Sequence, residues 1–383
     1  MPDRPVVTPI TPELLRGALG VERTPTGTRV RRLPARALQQ AADPQLALAE
    51  SQPSGVRIAA VTTATTLELT ALATRYGLRG APPRPPGVFD LVADGRLTAQ
   101  ASLPTAVAVV VDPATGARET VAAPPSRVVF DDLPAGEKSV EIWLPHNEAV
   151  ELVELRGDAP LRQQPARGPV WCHYGSSISH GSNATHPTGT WPAVAATLAG
   201  LDLVCLGFGG SALLDPFVAR TLRDAPADLI SLKIGINLVN SDVMRLRAFR
   251  TAVHGFLDTI RDGHPTTPLL VISPINCPIH EDTPGPGALD PAALAEGRVR
   301  FVATGDPAER AAGKLTLRTV RAELARIVAE RATDDPHLSY LDGLALYGEA
   351  DAAEHPLPDA LHPDGPTHRL IGERFAAYLR GES

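Results

Sequence analysis

VWCHYGSSISHG, residues 170–181, reads as a short strand running into a turn rich in glycine and serine. Its first six residues are apolar or bulky on both faces, as a strand inside a parallel sheet must be. Working downstream, DLVCLGF (202–208), DLISLKIGIN (228–237), PLLVISPINC (268–277) and LSYLDGLALY (338–347) repeat that character. Helical patterns lie between them. Over 242–262, Leu246, Phe249, Val253, Phe256, Leu257 and Ile260 recur at spacings of three and four, with Ser241 as N-cap and Gly263 and Pro265 as the stop. A second helix is expected over 306–332, and a last one over 367–380 on Ile371, Phe375 and Leu379. Strands alternating with helices imply a parallel sheet covered on both faces, a three-layer α/β/α domain.

Upstream the rhythm is different. Leu67, Leu69 and Ala71 alternate with Glu68, Thr70 and Leu72, and Val140, Ile142 and Leu144 alternate with Ser139, Glu141 and Trp143. Val107, Val109 and Val111 form another short strand, and AVELVELR follows the turn PHNE at 145–148. Asp94-Gly95, inside FDLVADGRLTAQ, is a hairpin signal. Prolines crowd the connections APPRPPG (81–87) and AAPPS (122–126), where no ladder N–H is needed. Several strands at this spacing predict an all-β sandwich with few helices. The polar, proline-bearing stretch RQQPARGP (162–169) is the expected boundary, giving domains at 1–165 and 166–383.

Composition removes several classes of function. With 36 basic against 43 acidic side chains and a formal net charge of −7, no basic footprint for nucleic acid is present. No apolar run approaches the ~20 residues that span a bilayer, so no membrane partner is expected. The start, MPDRPVVTPITPELLRG, lacks an apolar segment behind a basic one, and a cytoplasmic protein without signal peptide is expected. Cys172, Cys205 and Cys277 are far apart in apolar settings, which suits a reducing compartment and no disulfide framework.

In an open α/β sheet, ligands bind at the carboxyl ends of the strands. There the chain carries HYGSSISHG (173–181), LGFGGSA (206–212), GIN ending in Asn237, and, before the last helix, PDALHPDG (358–365). These are the parts that acyl transfer through a serine needs. A hydroxyl is a weak nucleophile until a base takes its proton, and the base needs an orienting group. Backbone N–H groups near glycine, with an Asn amide, suit an oxygen that becomes negative.

In that order the four segments resemble the blocks of the GDSL/SGNH esterase and lipase superfamily. Gly175-Ser176-Ser177-Ile178 resembles the GDSL block, with Ser in place of Asp, and implies Ser177 as nucleophile. Gly210 is similar to the second-block glycine, and Asn237 in GINL to the GxND block, with Leu238 in place of the Asp. The resemblance implies an oxyanion hole of Ser177, Gly210 and Asn237. Asp359-Ala360-Leu361-His362-Pro363 matches the DxxH(P) block, implying His362 as base and Asp359 as its partner. The likeness covers about 169–380. The β-rich region resembles the jelly-roll domain of some carbohydrate esterases and of a subgroup that includes natural-product O-acyltransferases. The implied function is therefore an O-acyltransferase moving an acyl group from an acyl-thioester, such as an acyl-CoA, to a hydroxyl of a natural-product acceptor. An intracellular carboxylesterase or deacetylase using the same residues is the alternative, and a binding protein with an inactive domain a more distant one.

Three rival readings bear on the same segments. Gly207-x-Gly209-x-x-Ala212 matches a dinucleotide fingerprint, but the next strand ends in Asn237 rather than in the carboxylate that would hold a ribose, so no nucleotide cofactor is expected. His173, His180 and His186, spaced by seven and six, fit no common zinc pattern, so no metal is expected and the three should line or rim the pocket. Ser179 occupies the place of the second glycine in a Gly-x-Ser-x-Gly elbow, so the turn is not that of an α/β-hydrolase.

Overall fold

The structure, a computed structural model, describes residues 5–41, 43–112, 115–165 and 168–382. It divides into two compact units. The first comprises Met1–Pro34, Glu50–Arg167 and Thr185–Gly189, the second Ala35–Ala49, Gly168–Ala184 and Thr190–Ser383. Two short segments therefore lie across the single cut expected near 165, and residues 166 and 167 of that stretch fall outside the described ones. The segment 185–189 is held in the first unit by the buried Asp90, whose carboxylate meets His186 Nδ1 at 2.7 Å and accepts the Thr188 N–H at 2.9 Å and hydroxyl at 2.6 Å.

The first unit is built from two mostly antiparallel sheets. The alternation at 67–71 belongs to the strand Leu67–Leu78, whose inward residues Leu67, Leu69, Ala71 and Ala73 are fully buried. They share one core with Ile58, Ala60, Phe89, Leu91, Val140 and Ile142 of the second sheet. Asp94 and Gly95 take φ of 48° and 80° between the paired strands Val88–Ala93 and Arg96–Ser102, which is what a two-residue hairpin with both central φ positive requires.

In the second unit five parallel strands form the sheet: β1 (Val170–Gly175), β2 (Asp202–Gly207), β3 (Leu229–Lys233), β4 (Leu269–Ile272) and β5 (Leu338–Leu341), in spatial order 2-1-3-4-5. The order reverses between β1 and β3, and a crevice opens at such a switch point. Side chains of β1 alternate between two helical layers. Trp171 stacks on Phe375 of Gly365–Leu379 at 5.1 Å and lies 6.1 Å from Trp191 of Trp191–Ala199. Tyr174, on the other face, meets Phe256 of Leu246–Arg261 at 5.2 Å. Such aromatic pairs add about 0.5–1.5 kcal/mol each beyond area burial. The α/β/α layering and the preceding β domain are as expected.

Local boundaries differ from the sequence reading, each for a physical reason. The helix expected over 242–262 spans Leu246–Arg261, and Ser241 instead closes a short helix, Ile236–Asn240, because Asp242 turns left-handed at φ 49°. The helix expected over 306–332 is broken. A 3-10 turn over Pro307–Ala312 ends at Gly313, φ 85°, and a separate helix, Leu317–Arg331, starts on the Thr316 cap. The β-rich region contains the helices Ala35–Leu38 and Pro44–Ser51. Among the described residues, no helix is long and apolar enough to cross a membrane.

Candidate active site

β1 delivers the chain into a one-turn helix, Ser177–His180, and the three serines there divide the work. Ser176 is the N-cap, its hydroxyl accepting the Ile178 N–H at 3.3 Å. Ser179 turns into the core, with Oγ 2.8 Å from His173 Nε2. Ser177 sits between them, with Oγ 2.9 Å from His362 Nε2. The helix lies hard against the end of β2: a Cβ on Gly207 would come within 2.4 Å of the His180 amide nitrogen. That close approach accounts for a glycine there, and the chain does not enter a helix until Pro216, so the glycine segment is not a dinucleotide turn.

Asp359 and His362 are joined at 2.8 Å through Oδ2 and Nδ1. Asp359 Oδ1 also accepts the N–H groups of Leu361 at 2.9 Å and His362 at 2.7 Å, so the loop fixes carboxylate and imidazole together. A carboxylate only accepts, so Nδ1 carries the proton and Nε2 presents its lone pair to the Ser177 hydroxyl. Burial pushes the Asp359 carboxyl up, but the hydrogen bond and charge of His362 and the two backbone donors outweigh it, and the net direction is down. Two neighbours escaped the sequence reading. Asn183 Nδ2 donates to Asp359 Oδ2 at 3.1 Å, and the Phe301 ring meets the His362 imidazole edge-on at 5.4 Å. Asn183 has φ 66°, a conformation in which Asn is enriched, and that was its only local signal.

The groups expected to donate to a negative oxygen belong to Ser177 itself, to the loop after β2 and to the short helix after β3. The Ser177 N–H is the first of its helix, one of the orphan donors of a helix start. The loop after β2 turns tightly, with the Ser211 N–H on Phe208 O at 3.1 Å and Gly210 at φ 74°. The Gly210 N–H makes no backbone hydrogen bond among the described residues. Asn237 lies on the Ile236–Asn240 helix, four residues past the end of β3. Its Oδ1 accepts the Ala212 N–H at 3.1 Å, leaving Nδ2 to donate.

His173 does not line a pocket in the way the sequence suggested. His173 is fully buried between Ser231 Oγ at 2.7 Å and Ser179 Oγ, and burial, with Lys233 nearby, pulls its pKa to about 3. His180 Nδ1 accepts the Gly209 N–H at 3.3 Å. Burial also pushes the Cys172 and Cys277 thiols up to about 12, which leaves them protonated and inert.

Asp215, at the end of the glycine loop, gives the site a pH signature. Burial, with the Asp43 carboxylate as second cause, raises its pKa from 3.8 to about 6. A carboxyl whose folded pKa is raised contributes stability that is full below the unfolded pKa and lost as pH rises through the folded one. The Asp215 side chain makes no capping hydrogen bond at the start of Pro216–Asp224, so Asp215→Asn removes the charge without removing a cap. The variant should gain on the order of 1–2 kcal/mol over the parent near pH 8 and nothing near pH 4, by urea unfolding at both. An equal change at the two pH values would refute the linkage.

The GDSL-like lipase/acylhydrolase family matches residues 170–280, which include Ser177, Gly210 and Asn237. No curated protein sequence matched the chain. Among solved structures, the chain is similar to the salicylyl-acyltransferase SsfX3 from a tetracycline biosynthetic pathway, at 28% identity and TM-score 0.78 over 99% of this chain and 97% of that one. A putative GDSL-like lipase from Bacteroides ovatus shares the fold at 18% identity and TM-score 0.68, over 99% and 96% of the two chains. So does a family two carbohydrate esterase from Clostridium thermocellum at 14% and 0.55, over 86% and 93%. The family match begins on β1 and the likeness to an acyltransferase runs the length of both chains, so the chain is similar throughout to acyl-ester enzymes of the GDSL-like kind.

Proposed function

We propose that the protein is an O-acyltransferase working through an acyl-serine on Ser177. The observation that carries this is the hydrogen-bonded series Ser177–His362–Asp359 at the mouth of the sheet's switch point. His362 Nε2 takes the hydroxyl proton as Ser177 Oγ bonds to the carbonyl carbon of an acyl-thioester. The N–H groups of Ser177 and Gly210 and the Asn237 amide receive the oxyanion. Its collapse expels a thiolate, which leaves with the proton from His362. A hydroxyl of the acceptor then gives its proton to His362 as it bonds to the acyl carbon, and collapse breaks the bond to Ser177 Oγ, which takes that proton back from His362 as the ester leaves.

The full-length likeness to a salicylyl-acyltransferase supports transfer to a natural-product hydroxyl, and a thioester donor would set the reaction in the cytoplasm. The match to acylhydrolases supports a second reading, a carboxylesterase or deacetylase in which water replaces the acceptor. Mass spectrometry separates the two. Incubated with aromatic and aliphatic acyl-CoAs, the protein should gain one acyl group on the Ser177 peptide. A panel of phenols and alcohols should then draw that group into ester faster than water releases acid. Free acid as the sole product across the panel would favour the hydrolase, and a protein never acylated on Ser177 would overturn both.

A further inference from the structure

The segment 35–49 lies far upstream of the catalytic blocks, yet it belongs to the second unit. It carries two contacts onto the loop after β2. Asp43 precedes Pro44 and caps the helix Pro44–Ser51, its Oδ1 accepting the Gln45 N–H at 2.9 Å. Its other oxygen, Oδ2, accepts the Ser211 hydroxyl at 3.4 Å. Gln45, held in the first helical turn by that cap, donates from Nε2 to the Gly209 carbonyl at 2.9 Å. The fit is close. A Cβ on Gly210 would lie 3.2 Å from Gln45 Cγ and 3.3 Å from Nε2.

The bonded carbonyl matters because of what shares its peptide plane. Gly209 C=O and Gly210 N–H belong to one planar trans unit, so they point in opposite directions. Whatever holds the carbonyl on one side aims the N–H on the other. The rest of the turn is anchored elsewhere: Phe208 N–H on Gly175 O at 2.8 Å, Gly209 N–H on His180 Nδ1, and Ala212 N–H on Asn237 Oδ1. None of those bonds fixes the rotation of the Gly209–Gly210 peptide. With glycine on both sides, that peptide can turn over at little steric cost, which would reverse the sign of φ at Gly210 and aim a carbonyl oxygen where the N–H now points.

We infer that Gln45 is a positioning residue that holds the Gly209–Gly210 peptide with its N–H aimed at the substrate oxyanion. The inference rests on the acyl-serine reading above. Gln45 acts through the peptide, and its hydrogen bond also polarises the N–H that would meet the developing charge.

Gln45→Leu keeps the length and helix propensity and removes the donor, and the side chain is exposed, so the variant should fold as the parent does. Its kcat on p-nitrophenyl acetate should fall about tenfold with KM unchanged, a milder loss than the ~10²–10³ that follows outright removal of an oxyanion donor. Gln45→Glu supplies the signature that a structural role would not produce. Its carboxylate repels the Gly209 carbonyl, but the protonated acid donates to it. The ratio of variant to parent kcat should therefore rise as pH falls through about 4–5, while the Gln45→Leu ratio stays flat. Fluorophosphonate labelling of the parent keeps the two claims apart. A parent labelled at Ser177, together with parent-like kcat in Gln45→Leu or a pH-independent ratio in Gln45→Glu, overturns the role of Gln45 alone. A parent not labelled at Ser177 overturns the acyl-serine reading itself.

Discussion

Ser177→Ala should lower kcat by about 10⁶ while leaving the fold intact, the loss expected when a triad serine is removed. The hydroxyl's bond is to the buried His362 Nε2, so its removal should cost about 1–2 kcal/mol of stability. Selectivity within the turn is the sharper part of the expectation. Intact-mass labelling by a fluorophosphonate should vanish in Ser177→Ala and persist in Ser176→Ala. The latter loses only a cap on a one-turn helix, worth roughly 0.5–2 kcal/mol. Ser179→Ala should also keep its label, since Ser179 faces His173. Labelling that survives in Ser177→Ala would place the nucleophile elsewhere and remove the basis for the acyl-serine route.

What could be read from the chain beforehand follows the range of the forces involved. The five strands were legible because burial on both faces demands an unbroken apolar run, and the Asp94-Gly95 hairpin because its chemistry is confined to two residues. The short spacing of Asp359 and His362 made a hydrogen-bonded pair geometrically easy. Contacts made across long stretches of chain left little trace. Asn183 reaches Asp359 over 176 positions and Gln45 reaches Gly209 over 164, and neither segment carries a pattern that names its partner. His173 was misread for a related reason. A polar residue at the end of a strand looks like a site residue until its neighbours are known, and Trp171, Ser231 and Trp191 enclose it in the helical layer. The break at Gly313 was hidden because Ala, Arg, Glu and Leu dominate 306–332 on both sides of the glycine, while the chain there pairs extended with Arg245 through Lys314.

Asp359→Asn should cost about 10⁴ in kcat, a loss that comes from the tautomer of its partner rather than from a missing contact. The backbone N–H groups of Leu361 and His362 already donate to Oδ1, so the amide oxygen of an introduced Asn stays there. That turns its NH₂ toward His362 Nδ1, which must then accept. The imidazole proton moves to Nε2 and points at Ser177 Oγ, where a lone pair is needed. Asn183 adds a penalty: its Nδ2, which now donates to Asp359 Oδ2, would face another donor. Leaving those groups unsatisfied should destabilise the fold by about 1–3 kcal/mol. The parent should also show an acid limb that the variant lacks. A carboxyl whose folded pKa is depressed contributes stability present above the unfolded value of 3.8 and lost as pH falls through the lower folded one. The decisive measurement is the double variant. If Asp359 acts only through His362 on Ser177, adding Asp359→Asn to Ser177→Ala should cost nothing further in kcat. A second loss of tenfold or more would mean that Asp359 serves a step that does not pass through Ser177.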